Sequence, residues 1–415
     1  MLSRAITHAK RAKERPLEIY IYGRRGSDSQ CGYHKLIPFL ETVANRIECL
    51  GLAFSVADYK DLHVSILEVT LLNCLPQMFN RLITSTCSFT SPFTYSRSED
   101  EDNSTDSDDE GCLCLDLSHS QMEQAFSGLT VLDLNGFYPH WSSSAYHGLV
   151  DLRLVPSPAS NIDIPAIHIS ELIKILTASP ALRIFHFQLQ ISGPEIDDTD
   201  LVPIALKDLE VVNLSTEIRT ETDWLYNIGD MLSLLGPGSK PLRLTLDPAG
   251  ENYGLLDSAD ELRKFFERSK VEMLCLKRVE VFSDEILAYT PDVKALILGE
   301  CYYGDNIFLR MSDGFDYLGN ATGPGGSSDS NGTSHMLPLL NSCYICGGVI
   351  KDTTLRKLAR ICPVGLVLEN CQVTTEPGIY ITDPEELLKM FPTAKVNCLS
   401  FSSWSDLMAD WDKLG

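Results

Sequence analysis

Two pairs of thiols, Cys112 with Cys114 and Cys343 with Cys346, sit close enough in sequence to raise the question of a metal. Structural zinc wants two close ligand pairs that converge. These lie some 230 residues apart, and Cys343 falls on a position assigned below to the core. Core thiols are the expectation, with no metal and no cofactor. His140 and His147 flank the Ser-rich stretch WSSSAYH with six residues between them, which fits no ligand spacing, so surface histidines are expected. Phosphate loops, dinucleotide fingerprints, zincin helices and nucleophile elbows all have recognisable spacings. None occurs here. GPGSK (236–240) and GPGGSS (323–328) read as turns that do not join a strand to a helix. With 57 Asp and Glu, no single carboxylate pair stands out. No enzyme is expected; the alternative, a hydrolase or metal-dependent enzyme on an α/β fold, requires metal at stoichiometric level.

Composition narrows the partners. The chain has 415 residues, 44% of them hydrophobic, and 34 Lys and Arg give a net charge of −23. Such an acidic surface repels phosphate, so neither nucleic acid nor membrane is expected as a partner. The basic cluster Arg4, Lys10, Arg11, Lys13 and Arg15 is too short to reverse this. It resembles a mitochondrial presequence in composition, but PLEIYIY follows at once as a strand. Thirteen scattered cysteines and no run of 18 apolar residues point to reduced thiols in cytoplasm or nucleus. The triplets at Asn103, Asn213, Asn320 and Asn331 are then accidental matches to a glycosylation signal.

The elements that must position any site come from a recurring spacing. LTVLDLNGF (129–137) places Leu129, Leu132, Leu134 and Phe137 at offsets 0, 3, 5 and 8, which fits neither a helix nor a plain strand. The offsets recur in IECLGL from Ile47, ILEVTLLNC from Ile66, LVDLRL from Leu149, LRIFHF from Leu182 and LEVVNL from Leu209. VEMLCLKRV from Val271 and VKALILGEC from Val293 follow, with weaker copies in LNSCYI from Leu340 and VNCLSF from Val396. LRLTL (242–246) and GLVLENC (365–371) keep the strand half alone. Helical patterns fall between many of them, at 36–46, 76–83, 170–180, 223–235, 257–269 and 352–363. Strand, returning helix and strand without hairpin signals predict parallel strands with right-handed crossovers. Positions 3 and 5 point inward from a short strand, and positions 0 and 8 lie on the turns before and after it. One unit cannot bury its own apolar stripe, but stacked neighbours can. An ordinary doubly wound α/β domain is the alternative architecture.

This spacing resembles the leucine-rich-repeat consensus L-x-x-L-x-L-x-x-N/C over most of residues 17–401. The resemblance implies an irregular α/β solenoid (a horseshoe) with parallel strands on the concave face and helices on the convex face. Position 8 is Cys at Cys74 and Cys301, with Cys371 a third, so the side-chain ladder of the family is sparse. The opening LSRAITHAKRAKERPLEIYIYG, a basic helix, a Pro and an alternating strand, looks like the segment after the F-box in fungal (basidiomycete-type) F-box-like proteins. The Leu-Pro-led F-box module has no counterpart within these residues. What the resemblance implies is a substrate receptor of an SCF-type ubiquitin ligase, binding the ligase's adaptor subunit if an F-box lies upstream. The alternative is a leucine-rich-repeat scaffold with no ubiquitin link.

Two stretches interrupt the units. SRSEDEDNSTDSDDEG (96–111) is too charged to pack and reads as a disordered loop, in which Thr105 and Ser107 suit an acidophilic kinase. LGNATGPGGSSDSNGTSH (318–335) has too few apolar groups to fold. The predicted divisions are thus 1–95, a helix and the first repeats; 112–317, the central repeats; and 336–415, the last repeats with a capping helix. The polar residues between core positions should line the concave face and contact a protein partner: Asp133, Asn135, Asp151, Arg153, Arg183, His186, Gln188, Glu210, Asn213, Glu272, Lys277 and Lys294. Phe137, Tyr138, Trp141, Tyr302 and Tyr303 are candidate aromatic anchors.

Overall fold

The computed structural model describes residues 2–23, 35–54, 60–86, 93–96, 113–157, 165–193, 202–216, 228–248, 259–277, 289–299, 340–363, 365–375 and 379–397. The chain divides into two compact units, Met1–Glu195 and Ile196–Gly415. The acidic run, Thr105 and Ser107, the Gly/Ser-rich insertion, Cys301, Tyr302, Tyr303 and the end of the predicted capping segment lie outside the described residues.

The first unit runs α1 (Leu2–Ala12), β1 (Leu17–Gly23), α2 (Leu36–Val43), β2 (Ile47–Phe54), α3 (Lys60–Asn73), β3 (Arg81–Thr86), β4 (Phe93–Ser96) and β5 (Leu113–Leu115). It continues with α4 (His119–Phe126), β6 (Val131–Asn135), β7 (Tyr138–Pro139), β8 (Asp151–Val155), β9 (Ala166–His168), α5 (Ile169–Ala178), β10 (Ile184–Phe187) and β11 (Gln190–Ser192). Its main sheet has the order β1-β2-β3-β6-β8-β10, all parallel.

The second unit runs β12 (Ile204–Leu206), β13 (Val211–Ser215), α6 (Ile228–Leu234), β14 (Leu235–Pro237), β15 (Pro241–Asp247), α7 (Ala259–Arg268), β16 (Lys270–Lys277), β17 (Ala295–Gly299) and β18 (Ser342–Cys346). Then come β19 (Val349–Lys351), α8 (Asp352–Ile361), β20 (Leu366–Glu369), β21 (Gln372–Thr375), β22 (Ile379–Ile381), α9 (Pro384–Met390) and β23 (Lys395–Asn397). The strands β13-β15-β16-β17-β18-β20-β23 are again parallel neighbours. Short side sheets accompany both units, and β21 with β22 is antiparallel. The class is mixed α/β with a large parallel sheet.

Register converts the offsets into continuous core rows. Position 3 aligns Ile19, Leu50, Leu82, Leu132, Leu152 and Phe185 across the first unit; position 5 aligns Ile21, Leu52, Thr84, Leu134, Leu154 and Phe187. The second unit repeats this with Val212, Leu244, Leu274, Leu296, Cys343 and Leu366, then Leu214, Leu246, Leu276, Leu298, Ile345, Leu368 and Val396. From Leu50 onward nearly all of these side chains are buried. Each full burial is worth about 1.5–3 kcal/mol, so the rows are the main source of cohesion. Position 0 is buried too, at Leu129, Leu149, Leu182, Leu209, Val293 and Leu340, as is Phe137 at position 8. Where a strictly alternating strand meets a 0, 3, 5 neighbour, the extra residue becomes a bulge: the register shifts between Leu17 and Glu18, and between Leu242 and Arg243.

Three expectations need correction. ILEVTLLNC is not a strand unit but the second half of α3, and 76–83 is not a helix but the approach to β3 and its first residues. Along α3, His63, Ile66, Leu67, Thr70 and Leu71 are all buried, a helical stripe whose polar members His63 and Thr70 hid it. The unit there is Phe79, Leu82 and Thr84, with Thr in place of a leucine. Cys74 accordingly closes α3, its thiol 3.5 Å from the Leu71 carbonyl oxygen, and belongs to no ladder. VNCLSF is out of phase, because Val396 faces Leu368 at position 5; Phe391 and Ala394 fill positions 0 and 3. Cys371, at position 8, contacts backbone oxygens. Its sulfur lies 3.1 Å from the Ile345 oxygen and 3.2 Å from that of Glu369.

Helices α4 and α9 are short and weakly apolar. Local chemistry starts them: Ser118 Oγ accepts from the Gln121 amide while the Ser118 amide donates to Gln121 Oε1, and Asp383 caps α9 ahead of Pro384. Glu123 of α4 then ties down the turn at 143–146, accepting from Ser143 Oγ at 2.7 Å and from the Ser144 amide at 2.6 Å. Burial pushes this carboxyl up, but the Ser144 and Ser143 donors outweigh it and hold it below the ordinary glutamate value. A folded-state value below the unfolded one stabilises at neutral pH, and that contribution is lost as pH falls through the folded value. Glu123→Gln should therefore cost about 1 kcal/mol at pH 7, a modest figure because the group is partly solvated. As pH falls through the folded value, the variant and parent should converge in urea titrations.

Candidate binding surface

Side chains alternate along a strand, so residues between the core rows form the opposite face of each sheet. In the first unit three aligned rows result. Glu18, Cys49, Arg81, Val131, Asp151 and Ile184 form one; Tyr20, Gly51, Ile83, Asp133, Arg153 and His186 the next; Tyr22, Ala53, Ser85, Asn135 and Val155 the third. The centre is a self-neutralising cluster. Arg153 grips Asp151 through Nε to Oδ1 at 2.9 Å and Nη2 to Oδ2 at 3.1 Å, and faces Asp133 across the strand pair. Such a fork fixes a planar guanidinium in one orientation. His186 beside it is buried, Asp133, Asn135, Asp151 and Arg153 are half-buried, and Arg183 and Gln188 sit on the turns flanking β10.

Toward β1 the face becomes aromatic. Tyr20 is 42% exposed and Tyr22 69%, with rings 6.5 Å apart and nearly parallel. Tyr20 lies across β2: a Cβ at Gly51 would collide with its ring, so only glycine lets the ring down onto the strand. Its hydroxyl meets the Cys49 sulfur at 3.6 Å, and this contact, with burial, pushes the phenol up to about 12. These tyrosines were missed, although IYIY puts Tyr and Ile on opposite phases.

In the second unit the corresponding rows are Val211, Arg243, Met273, Ala295 and Ser342, then Asn213, Thr245, Cys275, Ile297, Tyr344, Val367 and Lys395. The middle is apolar: Cys275 and Ile297 are fully buried, with Met273 and Tyr344 packed against them. Asn213 is buried, and Lys277 closes β16 opposite Gly299. The charged groups gather where the strands begin. There a cleft of about 380 Å³ is lined by Glu210, Lys240, Pro241, Leu242, Arg243, Glu272 and Met273. Lys240 contacts Asp208 and Glu210 at 2.9 Å each, and Glu272 receives Lys270 and Lys294 at 3.0 Å each. Lys270 and Lys294 hold the Glu272 carboxyl below its usual range, and the acids raise Lys240 and Lys270. Lys240 lies on the turn before β15 and Lys270 opens β16, and neither carried a signal.

No protein-family model matches the chain, and no curated protein matches it significantly. The site must be read from its own geometry. The anchors expected at Phe137, Tyr138 and Trp141 are corrected, since all three are buried. Tyr138 donates to the Val155 oxygen at 2.6 Å and Trp141 Nε1 to that of Ala166 at 3.2 Å, so their polar ends are satisfied inside. His140 Nδ1 is 2.8 Å from Ser142 Oγ, and His147 shares a small cleft with Trp141, Glu171 and Lys174. Cys343 and Cys346 are buried, and Cys114 is exposed. Among the described residues no three His, Cys, Asp or Glu side chains converge as a metal would require, and no helix is long and apolar enough to cross a membrane. What the face presents is orientation: paired charges at fixed spacing beside exposed aromatic rings.

Proposed function

We propose that this chain is an irregular leucine-rich-repeat protein of the fungal F-box-like kind, a non-catalytic module that binds a protein on the face opposite its leucine rows. It would hand that substrate to an SCF-type ubiquitin ligase in cytoplasm or nucleus if an F-box is encoded upstream. The carrying observation is the pairing of two buried core rows, apolar save for Thr84, with an opposite face whose residues vary from strand to strand. A constant side makes the stack, and a variable side is free to specialise. The leading segment supports the same reading, since it forms the helix, proline and strand that the resemblance implies. Aromatic and Arg residues such as Tyr20, Tyr22 and Arg153 are the types that dominate binding energy.

The test is to express the full reading frame, including coding sequence upstream of Met1, with the ligase's adaptor subunit. Stoichiometric co-purification, lost when the upstream module is deleted, is the expected result. An upstream sequence without a Leu-Pro-led helical module, or no adaptor in the complex, would leave a scaffold with no ubiquitin link.

A further inference from the structure

Strand β1 is the outermost strand of the first unit's sheet, and among the described residues no strand pairs with its outer side. Natural edges are blunted by charge, proline or a bulge. Here the register shift is confined to Leu17 and Glu18, and Glu18, the strand's one charge, is drawn to Arg81 at 3.4 Å. From Ile19 to Tyr22 the strand is regular and uncharged. Its core-side residues Leu17, Ile19 and Ile21 are only half-buried, whereas Leu50 and Leu52 next door are sealed. Tyr20 and Tyr22 project from the other side. Both faces of β1 thus lack the neighbour that every inner strand has.

Charge says what would fit. Arg4, Lys10, Arg11, Lys13 and Arg15 are all exposed on α1 and the turn after it. Arg46 holds this segment to the body, donating to the Arg15 oxygen at 3.0 Å. Helices α1, α2 and α3 are successive neighbours in the order of β1, β2 and β3, so α1 lies at the β1 end. Residues 1–23 carry these five cations against Glu14 and Glu18, net +3, while the remainder of the −23 chain carries −26. The edge is a basic, aromatic patch on a strongly acidic protein.

We propose that the outer edge of β1 accepts an extra strand from a partner protein, an extended segment with alternating apolar residues and acidic flanks. Backbone pairing along β1 would supply affinity, and Tyr20, Tyr22 and the α1 cations would select side chains and charge. A second copy is disfavoured, because two such edges would bring cation against cation. Nucleic acid fits less well, since the rest of the chain repels phosphate and offers no basic track.

The probe is a fluorescein-labelled peptide with a Val-Thr-Val-Thr-Val centre and paired Glu at each end, titrated into the full chain by anisotropy. A Lys-flanked counterpart and oligothymidylate serve as competitors. Saturable binding is expected, weakened about tenfold or more in the Lys peptide and in the Tyr20→Ala/Tyr22→Ala variant. Amide exchange at 17–23 should slow when the Glu peptide binds. Arg11→Glu/Arg15→Glu, altered only at exposed positions, should reverse the charge preference even if the tyrosine variant folds poorly. Absence of saturable binding, equal binding of both peptides, tighter binding of oligothymidylate, or protection elsewhere with 17–23 unchanged would overturn the proposal.

Discussion

Leu152→Ala is expected to cost about 2–5 kcal/mol, while Val131→Ala on the opposite phase of the neighbouring strand costs less than about 1. Leu152 is fully buried, aligned between Leu132 and Phe185 in the position-3 row. Its truncation removes transfer energy and leaves a void that two rigid neighbouring strands cannot close. Val131 sits between Arg81 and Asp151 on the face opposite the core and is half-buried, so its loss exposes little new surface. Native-state amide exchange at 151–155 would read the local opening energy directly, without assuming that the two units unfold together. Comparable losses from both substitutions would mean that the rows do not carry the stack, and the repeat reading would fall with them.

Much of the architecture could be read in advance because the core rows are made of side chains with one preference. Leu132, Leu134, Leu152, Leu154, Leu274 and Leu296 announce themselves by type and spacing, and they occupy the rows expected of them. The failures come where a buried position holds a residue of mixed character. Thr84 takes a leucine's place in β3, and His63 and Thr70 lie on the buried stripe of α3, so strand and helix exchanged identities there. Tyr138 and Trp141 failed for the converse reason. Aromatic residues with a polar tip are as comfortable inside as out once a backbone carbonyl accepts their proton, and both find one. The pairs Lys240–Glu210 and Lys294–Glu272 are brought together by the register of neighbouring strands, which no single-strand pattern contains.

The second unit also closes the end of α6 with a side chain, and Arg268→Ala should show it, with an expected loss of about 2–4 kcal/mol. A helix leaves its last carbonyls without intrahelical donors. At α6 two carbonyl oxygens near that end are met by one side chain from α7: Arg268 donates through Nη2 to the Leu232 oxygen at 2.6 Å and through Nε to that of Leu235 at 3.1 Å. The guanidinium also lies over the fully buried Phe265 ring, 5.4 Å from its centroid. Burial lowers its proton affinity, yet an arginine so placed remains a cation at neutral pH. Alanine strands both oxygens. Lysine restores the charge but cannot donate in two fixed directions from one plane, so Arg268→Lys should fall between parent and alanine. Amide exchange through 232–237 should accelerate in the same order. Because β14 leads within three residues to Lys240, loosening this end should also weaken the Lys240 contacts with Asp208 and Glu210 and blur the cleft they line. A stability loss without faster exchange at 232–237 would place the role of Arg268 in its stacking on Phe265 and not in the helix end.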